Sequence, residues 1–441
     1  MEFKKQSKDI LFLAAPMMMG NILQQLYNTF DVWMVGRYCG YEEYAAVGTA
    51  GTTMNLFLFF ITGICSGLTV MFAQLYGSER KNEFRRLHFQ TMFYGGIFSI
   101  FFSMMAILSF PVIAKLLQIP DDIISYVRVY LNITCMGIIA IYFYNFFTAV
   151  LRSVGNTRIP FVILFLSTIT NFILDYIFIG KLKIGIAGAA WATVMAETLA
   201  AFVSFVYIKR TLKDYMFRYH DIHFKVNTVF MQSIRLALVS GFQQSGLYLG
   251  KFFVQGAVNT VGTSAIVAYT TASRIEGFVN SPQESTVSAI SILTAQNYGA
   301  GKQKEVNQCL KYGIVLLAVL GAVSQIFLFV MARPLSSFVM NTGSGIALNA
   351  SMKYLQIISW FYIVCYLNGA FDGWYIGIGR PLLSFIGVVA QVMIRAIFSW
   401  LWIGKLGLNA VSLSTGIGWV LLLLYFVICF IRTKRKTGDR L

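Results

Sequence analysis

Twelve apolar runs of about 20 to 30 residues, each bounded by short charged clusters, constrain this chain more than any other feature. Each run is long enough to cross a bilayer. In lipid the backbone has no water to bond to, so a spanning run must satisfy its own N–H and C=O groups as a helix. Transmembrane barrels alternate apolar and polar residues, and this chain does not. The pattern predicts helices over 10–35, 46–76, 87–117, 121–151, 157–180, 186–209, 230–259, 265–297, 307–338, 348–377, 382–404 and 409–431. The expected class is an all-α polytopic membrane protein of twelve transmembrane helices.

Composition agrees with that class. Hydrophobic residues make up 57% of the chain and charged residues 12%, where a soluble domain carries about 25% charged. The net charge is +17, but the basic residues fall between the apolar runs. The positive-inside rule accounts for them better than a nucleic-acid partner does. An even number of spans puts both termini on one side. Lys and Arg concentrate there, from Lys4, Lys5 and Lys8 through Arg80, Lys81, Arg85 and Arg86 to Lys209, Arg210, Lys213 and the tail Arg432 to Arg440. Both termini are therefore expected in the cytoplasm, with an uncleaved first span. The six cysteines are scattered without metal-ligand spacing. His220 and His223 flank Asp221 in a basic loop, a pattern met more often in a solvated loop than in a metal site.

The most polar stretch, 209–229, divides the chain near its centre, and the two sides repeat. At an offset of 222, Gly40, Ala46, Ala73, Gln74, Tyr76, Gly77 and Glu83 match Gly262, Ala268, Ala295, Gln296, Tyr298, Gly299 and Glu305. At an offset of 224, Phe147, Gly155, Phe161 and the run Ile179, Gly180, Lys181, Leu182 match Phe371, Gly379, Phe385 and Ile403, Gly404, Lys405, Leu406. The expected organisation is an N-terminal lobe over 1–215, a cytoplasmic linker over 216–229 and a C-terminal lobe over 230–441. Six helices per half make this a parallel repeat, an arrangement that transporters use to place a substrate cavity between two lobes.

An ionisable group near the bilayer centre costs about 2.5 to 3.5 kcal/mol even on the lenient insertion scale, so its position is informative. Asp31 lies in the first span. Asp175 lies in the fifth, four residues after Asn171, so the two share a helix face. Thr193 lies in the sixth span with Glu197 one turn on, and Asn145 in the fourth. These side chains offer oxygen ligands without sulfur or imidazole, which suits a hard cation such as Na⁺; the same carboxylates serve H⁺ equally well. In the second half Asn171 becomes Arg395 and Asp175 becomes Ser399, while Asp31 becomes Phe253. That half has its own charges, Lys251, Arg274, Glu276, Glu284, Asp372 and Arg395. Arg274 is expected to pair with Glu276, and Asp372 and Arg395 are candidates to line a cavity. Pro16 interrupts the hydrogen-bond ladder of the first helix and is a candidate hinge.

No GxxxxGK[ST], GxSxG or HExxH motif occurs. Neither an ATP-driven motor nor an enzyme is expected, and no cofactor beyond a coupling ion. Energy for transport would come from a Na⁺ or H⁺ gradient.

Taken together these residues resemble the multidrug and toxic compound extrusion (MATE) family, in particular its prokaryotic DinF-like branch. The resemblance covers the full chain. It rests on Pro16 with Asp31 and the following MVGRYCGYEEYAAVG, on GLTVMFAQLYGSERKNE, LRSVGNTRIP and NFILDYIFIGKLKIGIAGAAWAT, and on AQNYGAGKQKE in the second half. It implies two six-helix lobes forming a V around a central cavity. It also implies a monomer in the cell membrane of a prokaryote that exports small organic, often cationic or amphipathic, molecules as Na⁺ or H⁺ enters. The family's first-lobe cation site falls on positions matching Asp31, Asn171, Asp175 and Thr193. Tyr27 and Asn145 match polar positions beside it, and Pro16 matches the bending proline. One departure stands out. Another branch carries a glutamate in the seventh helix, where this chain reads FQQSGLYLGKFF and has no acid. The alternative is a flippase for a lipid-linked saccharide, which would need a strongly cationic cavity.

Overall fold

A computed structural model describes residues 2–116 and 119–436. Of the basic tail, Arg440 lies outside the described residues. The elements are α1 (Glu2–Tyr38), α2 (Tyr41–Gly77), α3 (Lys81–Leu108), α4 (Phe110–Leu116), α5 (Ile124–Met136), α6 (Ile138–Ser153) and α7 (Arg158–Asp175). A π-helical turn (Tyr176–Lys181) extends α7, followed by α8 (Ile186–Thr211) and a 3₁₀ turn (Tyr219–Asp221). The second half holds α9 (Thr228–Asn259), α10 (Thr263–Gly299), α11 (Gln303–Met340), α12 (Ile346–Ser359), α13 (Tyr362–Gly377), α14 (Pro381–Leu406) and α15 (Asn409–Lys436). Among the described residues no strand forms.

Each apolar run of the sequence is a helix or a bent pair of helices. Eight helices are long and apolar enough to cross a membrane, and the bent pairs α5–α6 and α12–α13 raise that to ten. The remaining two, α9 and α10, have the length, at 32 and 37 residues, without the apolarity. Arg235 and Lys251 lie on α9, and Arg274, Glu276 and Glu284 on α10. The fold is an all-helical, twelve-span polytopic one.

Two of the runs read as single helices are bent. The α5–α6 pair turns by 41° and the α12–α13 pair by 54°, and the breaks at Gly137 and Phe361 are related by the repeat offset. Both lie at close approaches. A Cβ on Gly137 would stand 2.6 Å from Val194, and the Phe361 ring occupies the space that a Cβ on Gly416 would need.

By spatial grouping the chain forms two compact units, Met19–Ser245 and Met1–Met18 with Gly246–Leu441. The sequence-order division (1–215, 216–229, 230–441) rests on the repeat, whereas the spatial grouping follows packing. In the first unit α2 packs on α5 and α6, which pack in turn on α8, and α7 packs on α8. Gly63 and Gly67 of α2 lie against the backbone at Ser240 and Leu236; a Cβ on Gly67 would come within 2.5 Å of the Leu236 carbonyl. Pairing of small residues lets helices approach closely where lipid offers no hydrophobic drive.

The polar segment after α8 is strapped to one face of α3. Lys81 and Arg85, one turn apart, pair with Asp214 and Asp221 at 2.9 Å each. Gln90 donates to the Lys225 carbonyl at 2.8 Å, and the Tyr94 hydroxyl to the Phe224 carbonyl at 2.6 Å. Asp221 is thus held by Arg85, and among the described residues no His, Cys, Asp and Glu group suited to a metal ion forms. In the second unit α10, α11 and α13 pack mutually, with α12 on α10 and α11, and α15 on α12, α13 and α14.

Candidate functional site

The candidate site begins with the start of α8. Gly185 takes φ +71, and a Cβ there would stand 2.5 Å from Glu43 Oε1. That glutamate accepts the Ile186 N–H at 3.4 Å and the Gly40 N–H at 3.3 Å, so one side chain serves the first turns of α8 and α2. A carboxylate at a helix N-terminus satisfies orphan donors and complements the dipole. Registering α8 in this way fixes the heights of Thr193 and Glu197.

Asp31 on α1 and Asp175 at the end of α7 are 8% and 1% exposed. Their carboxyl groups meet at hydrogen-bonding range. Asp31 Oδ1, Asp175 Oδ1 and Asn171 Nδ2 are buried with no hydrogen-bond partner. The ion pairs formed among the described residues all lie on α3 and its strap, and none reaches these acids. Two ionised carboxylates about 4 Å apart repel by roughly 4 kcal/mol at an effective dielectric of 20. An arrangement of this kind is relieved by a proton or cation held between the two groups.

Asp175 is the last α-helical residue before the π turn. A π turn widens the ladder by one residue and is frequent at functional positions. Tyr27, one turn before Asp31 on α1, faces the Thr193 hydroxyl without a well-formed hydrogen bond. Thr193 donates to its own helix at the Ala189 carbonyl, 3.1 Å away. Glu197 also acts on Tyr27, and its Oε2 is buried without a partner. Tyr130 of α5, which sequence reasoning misses, faces both aspartates. As one tyrosine among 23 it carries no local signal.

The other sequence candidates make their own bonds. Asn145 spends its amide N–H on the Ile141 carbonyl of its own helix, at 2.9 Å. Pro16 sits inside the continuous α1 and belongs to the other compact unit. In that unit Asp372 and Arg395 have different hydrogen-bond partners. Asp372 accepts from the Ser384 hydroxyl, while Arg395 Nη2 donates to the Tyr269 hydroxyl at 3.2 Å.

The expected Arg274–Glu276 pair does not form. Residues two apart on a helix point to different sides, and Arg274 is exposed. Glu276 instead accepts from the Tyr354 hydroxyl at 3.3 Å and feels the charges of Arg395 and Lys251.

The comparisons bear on family and fold. The family model for MatE matches residues 16–177 and again 240–401, two equal stretches at the repeat offset of 224. A relative from Bacillus subtilis, "Probable multidrug resistance protein YoeA", is 25% identical over 80% of this chain and 77% of its own length. A second from the same organism, "Probable multidrug resistance protein YpnP", is 22% identical over 94% of this chain and 92% of its own. A solved structure of a MOP superfamily transporter from Pyrococcus furiosus superposes with a TM-score of 0.89 at 21% identity. It covers 97% of this chain and 96% of that one. With one family model matched twice across most of its length, the chain belongs to the MatE family, the multidrug and toxic compound extrusion transporters.

Proposed function

We propose that this chain is a secondary active exporter. It antiports small organic compounds, often cationic or amphipathic, against Na⁺ or H⁺ by alternating access. The observation that carries the reading is the pair Asp31 and Asp175, buried, facing each other and lacking a cationic side-chain partner among the described residues. Asn171 and Thr193 lie on the helices that complete the oxygen set for the coupling ion, with Tyr27 beside it. The relatives' printed names as multidrug resistance proteins support the substrate class. The protein acts as a monomer in the prokaryotic cell membrane, with both termini cytoplasmic, and needs no cofactor beyond the coupling ion.

A lipid-linked saccharide flippase is not favoured. Its anionic head group calls for uncompensated cations, yet Arg395 is bonded to Tyr269 and within electrostatic reach of Glu276. The test is transport in proteoliposomes under an imposed ΔpH or ΔNa⁺ alone, comparing wild type with Asp31→Asn. The expected result is gradient-driven accumulation of a cationic dye in wild type and none in the variant. Equal accumulation in both would remove Asp31 from the coupling site.

A further inference from the structure

Glu197 is not needed to hold an ion between Asp31 and Asp175, yet its carboxylate is placed inside the first unit. Among the described residues no cation stands within ion-pair range of it. Its Oε2 is buried and unpartnered. It stands one helical turn, about 6 Å, beyond Thr193 on the same face of α8. Tyr27 feels both Asp31 and Glu197, so its buried, unpartnered hydroxyl is within electrostatic reach of the aspartate pair and of the glutamate. On the other side Tyr144 of α6 feels both Glu197 and Arg152, and its hydroxyl faces Thr148 without a well-formed hydrogen bond. Tyr144, Thr148 and Arg152 are spaced at i, i+4 and i+8, one above the other on α6. Thr148 Oγ1 and Arg152 Nε are also buried without partners. A line of polar groups therefore runs from the aspartates to the end of α6, the end that the distribution of basic residues puts in the cytoplasm.

The line has an apolar wall at Tyr144. Tyr144 packs in an apolar cluster with Ile163, Ala200 and Ala201, backed by Phe143 and Ile159. A hard metal cation carries a shell of several oxygen ligands, and this segment offers about one hydroxyl per turn. A proton needs only one hydroxyl or one bridging water at a time. The groups facing Glu197 are Tyr27 from α1 and Tyr144 from α6. Asp175 from α7 and Tyr130 from α5 face the aspartate end instead.

We infer that Glu197 is a proton-accepting station on an exit route from the aspartate pair through the Tyr144 and Thr148 hydroxyls toward the Arg152 end of α6. The inference rests on the antiport reading and specifies H⁺ as the ion that leaves this way. The proton lost by the Asp31 carboxyl arrives on the Glu197 carboxylate. The Tyr27 hydroxyl, in reach of both, gives one proton, receives one, and ends as it began.

The experiment uses the full chain in proteoliposomes, ethidium as the transported probe and a trapped pH dye, in Na⁺-free buffer. Glu197→Gln and Tyr144→Phe are expected to slow ΔpH-driven ethidium uptake and the accompanying proton movement by about tenfold. Glu197→Asp should stay within about twofold, and ethidium binding in detergent should be unchanged in all three. Wild-type rates in both Glu197→Gln and Tyr144→Phe would overturn the route. Loss of ethidium binding in Glu197→Gln would overturn it too, by making Glu197 a substrate carboxylate. Wild-type transport driven by ΔNa⁺ but not by ΔpH would overturn it and leave the antiport reading standing. Transport driven by neither gradient would overturn both.

Discussion

The same four residues, Ile-Gly-Lys-Leu, close the fifth span at 179–182 and the eleventh at 403–406, yet they do not adopt the same structure. In the first half Tyr176–Lys181 is a π turn, whereas α14 continues as regular α-helix to Leu406. The shared Ile-Gly-Lys-Leu cannot account for the difference; the residues before it do differ, Asp175, Tyr176, Ile177 and Phe178 against Ser399, Trp400, Leu401 and Trp402, and so do their surroundings. Ser399, the repeat-equivalent of Asp175, shares a hydrogen bond with Ser414 at 2.7 Å. At the positions equivalent to Ser399 and Ser414 the first half places Asp175 and Ala190, and one oxygen of Asp175 is left without a partner.

The contrast extends to charge. Among the described residues, three buried acids of the first unit, Asp31, Asp175 and Glu197, have no cation within ion-pair distance. In the second unit Glu276 and Arg395 are linked through tyrosine hydroxyls. Duplication kept the frame and the bends at Gly137 and Phe361. The chemistry diverged: one unit sets two carboxyl groups against each other, and the other sets Glu276 and Arg395 against shared tyrosines.

The sharpest attack on this comparison is Asp175→Asn. Coupling free energies between sites are typically about 1–3 kcal/mol, or 5- to 150-fold. The variant should lose that whole factor in gradient-driven dye accumulation while still binding dye. Retained accumulation would mean that the unpaired acids are not the coupling groups.

Next in size is Ser399→Asp, which puts an acid of the first-half kind beside Ser414. It should lower thermal stability by about 3 kcal/mol, the cost of an uncompensated membrane carboxylate. Unchanged stability in a thermal-shift assay would show that the second unit also tolerates free acids.

Glu276→Gln should destabilise by about 1–3 kcal/mol, because it takes the charge from the hydrogen bond that Glu276 accepts from Tyr354 and removes a charge that Arg395 feels. Adding Arg395→Gln should restore part of the loss, and a double-mutant cycle reads the coupling directly. Additive losses would show that Glu276 and Arg395 are not coupled. Gly67→Ala, which forces a methyl into the Leu236 backbone, should cost about 1–3 kcal/mol by overpacking within the first unit. Wild-type melting of that variant would show that the close approach of α2 to the backbone at Leu236 is not required.

The smallest effect is expected at the strap on α3. The Lys81 ammonium hydrogen-bonded to Asp214 holds that carboxyl below its ordinary value. A depressed carboxylate contributes stability above its unfolded value, about 3.9, and loses it as pH falls through the folded one. The pair is exposed, so the change should be slight and screened by salt. Hydrogen exchange over residues 212–227 should rise modestly in acid and in Asp214→Asn. Faster exchange of the aspartate site itself would tie the strap to coupling.

Several features are legible in the residues alone. The twelve spans follow from the bilayer's thickness and its intolerance of free backbone polar groups, which act on every residue of a run at once. Asp31 and Asp175 stand out because a membrane carboxylate carries a cost wherever it lies. Arg274 with Glu276 misleads, since nearness in sequence at a spacing of two is distance on a helix. Tyr130 is invisible because nothing local marks one tyrosine from another.

The sequence by itself determined the class, the number of spans, the duplication and the identity of the unpaired acids, because each rests on composition or periodicity summed over many residues. Tertiary structure alone decided which oxygens meet. It brought Asp31 to Asp175 across 144 positions and Arg395 to Tyr269 across 126. Those outcomes depend on distant packing partners, whose approach no local pattern encodes.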